Sequence, residues 1–235
     1  MSGRFTSLSG SKASRKRQRH FTSEREQLRH KLKSTKEEKK RTIQATNKTN
    51  HAFLKQPHSG GTNNVMTCSS IEMLAARLDE ARKFTLRSVF VDFGCSAGSL
   101  CLYIAQRYGC SCIGIEKEVE PVRLAIDVAA SSGLSKQCTF IEADFNDEAQ
   151  FAQGWLERVQ ATHVFAYDKV FSKGSWDKLF ATIAAAPAGL VGANCAVKRG
   201  CHLPESLVKI GEPTKRALLC GGKSGYALQL WQVVH

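Results

Sequence analysis

The chain has 235 residues, 42% hydrophobic and 23% charged, which suits one sizeable soluble domain with some excess and excludes a collagen, a short disulfide scaffold or a wholly disordered polymer. Its net charge of +13 is local: residues 1–60 carry 16 Lys+Arg against 4 Asp+Glu, or +12, whereas residues 61–235 carry 18 against 17, or +1.

Residues 1–61 contain few large apolar side chains and are expected to form a basic, largely disordered tail, because they cannot bury enough surface to offset the entropy of ordering. Two basic clusters stand in it, Arg15, Lys16, Arg17 and Arg19, then Lys39, Lys40 and Arg41. They read as a nuclear-import signal combined with an arm that grips nucleic-acid phosphates. Polar and basic residues occupy the place of a signal peptide's apolar stretch, so secretion is not expected. Nine cysteines, an odd number without a regular framework, read as reduced thiols in packing positions of a cytosolic or nuclear protein.

From residue 62 onward apolar residues recur at helical and strand spacing, and the folded domain is expected over 62–235. Ser69 or Ser70 can cap a helix reaching about Lys83, with Ile71, Leu74, Ala75 and Leu78 on one face. Val89–Asp92 reads as a buried strand, Ser99–Tyr108 as a helix and Cys112–Glu116 as a second strand. A helix over Pro121–Ser131 has its proline in the first turn. Then come a strand at Thr139–Ile141, a helix over Ala149–Val159, a strand at His163–Tyr167, a helix over Ser175–Ala185 and a strand at Cys195–Val197. This alternation predicts an α/β fold, a mostly parallel sheet with helices on both faces. Tyr226–Val234 alternates without a preceding helix and is expected as an antiparallel edge strand. The uncharged run Leu179–Val197 is broken by Pro187, Gly189 and Gly192 and is not expected to span a membrane.

In an open parallel sheet ligands lie beyond the carboxyl ends of the strands. The first strand ends in Asp92-Phe93-Gly94-Cys95-Ser96-Ala97-Gly98, small residues that let backbone N–H groups approach a ligand at a helix N-terminus. The second ends in Glu116, followed by Lys117, a carboxylate able to accept both ribose hydroxyls. Asp144 and Phe145 follow the third, an acceptor for an exocyclic amine beside a ring that stacks on a base. Tyr167 and Asp168 end the fourth, next to the reacting end of the ligand. A nucleoside with an amino-acid tail fits this set, and S-adenosyl-L-methionine is such a molecule.

Other readings fit less well. Gly94 to Gly98 lacks the Gly-x-Gly-x-x-Gly spacing of a dinucleotide fold, and Gly222-Lys223-Ser224 lacks the first glycine of a phosphate loop. Cys110 and Cys112 lack the paired spacing of a zinc site, so no metal is expected. His163 and His202 read as structural, and Cys95 as a small loop residue.

From about Ser70 to Arg199 the chain resembles the disruptor-of-telomeric-silencing (Dot-one-like) family, histone lysine methyltransferases that lack a SET domain. Val89-Phe90-Val91-Asp92-Phe93-Gly94-x-x-x-Gly98 looks like that family's first motif. Gly114-Ile115-Glu116 with Pro121 and Ala125 is similar to its second-strand motif and following helix, and Ala143-Asp144-Phe145 resembles its Gly-Asp-Phe. Phe165 to Phe171 stands where the family has Phe-Val-Asn-Asn-Phe-Ala-Phe, with Tyr167 and Asp168 replacing the two asparagines. Met66-Thr67-Cys68 replaces an expected Tyr-Gly-Glu loop.

The resemblance implies a class I S-adenosylmethionine-dependent methyltransferase with a Rossmann-like seven-stranded, mostly parallel sheet, a monomer acting in the nucleus on a nucleosomal histone whose DNA the basic tail holds. Tyr167, Asp168 and Phe171 are then expected at the inner wall of a lysine channel, with Asp92 and Gly94–Gly98 around the methionine part of the cofactor. Two alternatives belong to other substrate classes. Asp168-Lys169-Val170-Phe171 loosely resembles the Asp-Pro-Pro-Phe of enzymes that methylate base amines in RNA or DNA. A noncatalytic chromatin or RNA adaptor retaining the fold is the other.

Overall fold

The computed structural model describes residues 66–147, 151, 154–168, 171–195, 202–214 and 226–235. The expected domain boundary at 61/62 and all seven candidate nucleic-acid-binding residues, Arg15, Lys16, Arg17, Arg19, Lys39, Lys40 and Arg41, lie outside them.

The described chain begins with α1 (Cys68–Ala81), whose cap is Thr67 and not Ser69 or Ser70. Thr67 is extended, and its hydroxyl accepts from the Ser70 N–H at 3.4 Å, so the serines fall inside the first turn. The predicted face is the buried one: Ile71, Leu74, Ala75 and Leu78 are all fully enclosed. Burying each of the three larger side chains contributes about 1.5–3 kcal/mol, and Leu74→Ala would cost about 2–5 kcal/mol.

Alternation then proceeds through β1 (Val89–Phe93), α2 (Ser99–Tyr108), β2 (Ser111–Glu116), α3 (Val119–Ser131), β3 (Cys138–Glu142), the short α4 (Trp155–Arg158), β4 (His163–Ala166), α5 (Lys173–Ala184) and β5 (Val191–Cys195). Two further strands, β6 (Leu207–Ile210) and β7 (Leu228–Val233), complete the sheet in the order β3-β2-β1-β4-β5-β7-β6. The first five strands run parallel, while β7 is antiparallel to both β5 and β6. The chain thus has the expected seven-stranded, mostly parallel, Rossmann-like sheet. The switch in strand order from β1 outward leaves a crevice at the carboxyl ends of β1 and β4.

Three elements differ from expectation. The fifth strand, described over Val191–Cys195, begins four residues before the expected Cys195–Val197, whose last two residues lie outside the described ones. Gly192 and Asn194 look like strand breakers, but each is required here. A Cβ at Gly192 would sit 2.2–2.7 Å from the Trp231 ring, and Asn194 joins a buried hydrogen-bond network. The C-terminal strand is antiparallel as predicted, yet it lies one place in from the edge, because the unforeseen β6 takes the outermost position. Leu228, Gln229, Leu230 and Trp231 are consequently buried on both faces. The helix expected over Ala149–Val159 is described only as the four-residue α4.

Two apolar clusters fill the sheet's two faces. α1 and α2 cover Phe90, Phe165 and Tyr167, while α4 and α5 cover Val91, Phe93, Val164 and Ala166. Among the described residues no helix is long and apolar enough to cross a membrane.

Candidate functional site

The site is built on β1 and β4, whose alternation decides which side chains share a face. Asp92 pairs with Phe165 across the two strands, and Tyr167 lies two residues further along β4's path on the same side. Together with Met66 and Ile71 from the start of the described chain, and with Gly94–Ala97, Ser99 and Leu100, these residues line one pocket.

The turn after β1 is held by backbone bonds. Gly94 and Cys95 N–H groups both donate to the Ile115 carbonyl, at 2.8 and 3.0 Å, and the Gly98 N–H donates to the Cys95 carbonyl at 2.9 Å. Gly98 has φ +71°, and a Cβ there would lie 2.4 Å from the Phe140 ring, so both conformation and space require glycine at this helix start. Ser96 adopts φ +50°, in the left-handed region that favours glycine. Glu116 holds it there: Glu116 Oε2 accepts from the Ser96 N–H at 3.0 Å, and Oε1 accepts from the N–H groups of Lys117 and Glu118 at 2.9 and 3.2 Å. Three of a carboxylate's roughly four acceptor positions are thereby filled. Of the two positions expected for ribose hydroxyls, these bonds leave one open.

Asp92 is 3% exposed. Burial, and then repulsion from the Glu116 carboxylate, push its pKa up to about 8. No hydrogen-bond donor or cation among the described residues offsets either effect. Cys95 lines the same pocket as a neutral thiol, its pKa raised by burial and by the two carboxylates, in keeping with a packing role.

Asp168, expected beside the reacting groups, is turned to the opposite face of the sheet from Tyr167. It is 2% exposed; Oδ2 accepts from the Trp176 indole N–H at 2.7 Å and from Asn194 Nδ2 at 2.9 Å, and Oδ1 accepts from the Cys195 N–H at 2.9 Å. Trp231 extends this network by donating to Asn194 Oδ1 at 3.1 Å. Burial raises the Asp168 pKa, and hydrogen bonds from Asn194, Trp176, and the backbone and thiol of Cys195 oppose that rise. Its role is to tie β4, β5, β7 and α5 together, not to receive a substrate.

Tyr167 is 8% exposed and its hydroxyl has no hydrogen-bond partner. Burial, followed by Cys195 and Tyr226, raises its pKa, so it stays a neutral phenol and cannot serve as a base. Phe171 packs at 4.8 Å centroid distance on Phe145, which in turn meets Phe93 edge-on at 6.1 Å. Phe171 also faces the turn, lying 3.4 Å from where a Cβ of Gly94 would be. The aromatic pair thus flanks the turn from the side opposite the pocket lining. Asp144 is exposed, and its Oδ1 accepts from the backbone and side-chain nitrogens of Asn146 at 2.9 and 2.7 Å, closing a local turn. Lys117 points outward toward Glu118 at 3.9 Å and is not among the lining residues.

Sequence reasoning missed Met66, Ile71, Ser99, Leu100 and Phe165 as lining residues. A signal existed for Met66, which occupies the replaced loop before α1, and for Phe165, which alternation places beside Asp92. His163 is structural as expected: it stacks on Phe84 at 3.9 Å, bonds the Arg82 carbonyl at 2.8 Å, and burial lowers its pKa to about 4.

Comparison with known proteins supports the architecture. No family model matches the chain. Norajmaline N-methyltransferase of Rauvolfia serpentina is 32% identical over 87 residues, 33% of this chain and 30% of that protein. The chain therefore spans under a third of that relative's length. Among solved structures, TrmN from Thermus thermophilus aligns with TM-score 0.53 at 16% identity, over 68% of this chain and 48% of TrmN. Geranyl diphosphate methyltransferase, solved with its diphosphate and sinefungin, aligns with TM-score 0.52 at 14% identity, over 71% and 78% of the two chains. The chain has the Rossmann-like fold of class I methyltransferases.

Proposed function

We propose that this protein binds S-adenosyl-L-methionine and transfers its methyl group to a lysine amine of a histone in chromatin. The observation that carries the cofactor assignment is Asp92: a buried carboxyl lining a pocket, with no cation among the described residues to offset the cost of ionising it. A ligand bringing an α-ammonium supplies that cation. The Gly94–Gly98 turn brings backbone close to the methionine part, the remaining acceptor position on Glu116 takes a ribose hydroxyl, and Phe145 lies toward the base. Such a pocket argues against a noncatalytic adaptor, which needs no place for a cation.

When bound, the sulfonium supplies an activated methyl for in-line displacement, so the chain's task is to position a neutral nucleophile. Keeping a lysine amine neutral at pH 7 costs about 4.6 kcal/mol from its reference pKa of about 10.4, and an apolar approach offsets part of this. The ring of Tyr167, which lines the pocket, suits that approach, while Asp168, already accepting from Trp176, Asn194 and both the backbone and the thiol of Cys195, is not available to hold an amine. The same fact weighs against a base-amine methyltransferase, in which the acidic residue must accept from the target base.

Histone as substrate and the nucleus as compartment rest on the motif resemblance and on the +12 charge of residues 1–60. If about six of those charges neutralise phosphates, log K for DNA falls against log salt with a slope near −5. Deleting residues 1–60 is expected to remove most of that slope. A methylation assay with labelled donor, offering nucleosomes, free histones, RNA and DNA side by side, tests the whole proposal. Label is expected in histone; label in RNA or DNA alone overturns the substrate, and label in none overturns the transfer.

A further inference from the structure

Gly114 stands inside β2 without a positive φ, so its own backbone gives no reason for glycine. A glycine inside a strand often marks the close approach of another group to the backbone. A Cβ there would lie 2.7 Å from Phe140 Cδ1 and 2.7 Å from Cys95 Sγ. The same ring meets a second glycine: a Cβ at Gly98, where the turn after β1 enters α2, would lie 2.6 Å from Phe140 Cζ. Phe140 of β3 therefore rests on two bare stretches of backbone, one in the sheet and one in the turn.

Register puts this contact on the pocket's side of the sheet. Phe165, Asp92, Gly114 and Phe140 are successive partners across β4, β1, β2 and β3, so they share a face. Phe165 and Asp92 line the pocket, whereas Gly114 and Phe140 lie outside its lining. The start of the turn is pinned to β2 by the Ile115 carbonyl, which accepts from the N–H groups of Gly94 and Cys95. At the end of the turn, the Phe140 ring fills the space that a side chain on Gly98 would take.

We infer that Phe140 is a positioning residue for the cofactor: wedged between Gly98 and Gly114, its ring sets the distance between the Gly94–Gly98 turn and Asp92 from outside the pocket. This rests on the cofactor reading above and extends the site to β3. A smaller side chain at 140 lets the turn and the start of α2 settle into the space the ring vacates. A methyl group on Gly114 displaces the ring and the Cys95 thiol instead. Either change alters the wall formed by Cys95, Ser96, Ala97, Ser99 and Leu100.

The test is calorimetric titration of full-length variants with S-adenosylmethionine at pH 7, well below every melting midpoint. Phe140→Leu keeps an apolar side chain but removes the ring, and it is expected to weaken binding by about tenfold, because a preorganised site tolerates little displacement of its support. Phe180→Leu makes the same change in the cluster on the opposite face of the sheet. It should also melt lower, yet bind as wild type does. With the donor saturating, Phe140→Leu should transfer methyl within about twofold of the wild-type rate, its loss falling on KM for the donor. Should the leucine variant not fold, Gly114→Ala probes the same wedge from its other side, and affinity should fall by about threefold or more. Wild-type affinity in folded Phe140→Leu or in Gly114→Ala, an equal loss in Phe180→Leu, or a fall in kcat at unchanged affinity would each overturn the assignment. Failure of the wild type to bind would overturn the cofactor reading itself, and this inference with it.

Discussion

Two aspartates stand at the tips of neighbouring strands, each almost fully buried, and they do opposite things. Asp168 accepts from Trp176, Asn194 and both the backbone and the thiol of Cys195, and no unfilled demand is left for a ligand. Asp92 accepts none among the described residues and faces a second carboxylate, so the fold leaves it holding a proton near neutral pH until a cation enters the pocket. A buried carboxylate is thus evidence of function only after its donors have been counted. By sequence alone Asp168 is as strong a candidate as Asp92.

The largest effect expected from this contrast is on stability at Asp168. Removing one partner from a buried charged network costs about 3–5 kcal/mol, so Asp168→Ala should lower the denaturant midpoint steeply. A variant that unfolds like wild type would break the contrast, because the network would then hold nothing together.

Asp92→Asn is expected to act the other way on the free protein and strongly on binding. Losing one member of a buried charge pair costs about 2–5 kcal/mol, or roughly 30-fold or more in cofactor affinity by titration calorimetry. At pH 9 the free variant should melt higher than wild type, by a few degrees for each 1 kcal/mol recovered. A lower melting temperature together with unchanged affinity would make Asp92 a second structural aspartate.

The pH dependence sharpens the same point. The Asp92 pKa is raised from 3.8 to about 8 on folding, so between those values the folded chain keeps a proton that the unfolded chain has released. Stability is therefore lost as pH rises through this window. Binding a cation favours the carboxylate and releases that proton, so affinity should climb between pH 5 and 7, by up to about tenfold per pH unit for one proton. Asp92→Asn should flatten the climb. Titrations in buffers of different ionisation enthalpy would count the proton directly.

Glu116→Gln is the mildest of these changes. It removes the neighbouring charge that raises the Asp92 pKa, the smaller of two causes after burial. The affinity climb should shift toward lower pH without disappearing. The amide retains an oxygen for some of the three N–H donors, so cofactor affinity at pH 7 should change by less than Asp92→Asn changes it. An unmoved pH profile would mean that the two carboxylates do not communicate.

Much of the fold was readable from local pattern, and the elements that escaped show why. α2 at Ser99–Tyr108 is flanked by glycines with φ +71° at both ends, and short-range chemistry sufficed to delimit it. β5 escaped because its Gly192 and Asn194 break strand propensity for the sake of Trp231 and Asp168, residues distant in sequence. β6 escaped because Leu207–Ile210 has only four residues, of which Val208 and Lys209 are exposed. In the site, the spacing from Asp92 to Gly98 and the carboxylate at Glu116 were visible as motif. The occupancy of those groups was not.

What the sequence determined by itself is the period and order of the elements, and with them the crevice above β1 and β4. Apolar spacing and small-residue turns are local properties, and a parallel sheet follows from their alternation. Which aspartate is satisfied and which is left to a ligand was decided by tertiary structure alone. The donors that quiet Asp168 arrive from α5 and β5, and the cation that Asp92 lacks is one that no described part of the chain delivers.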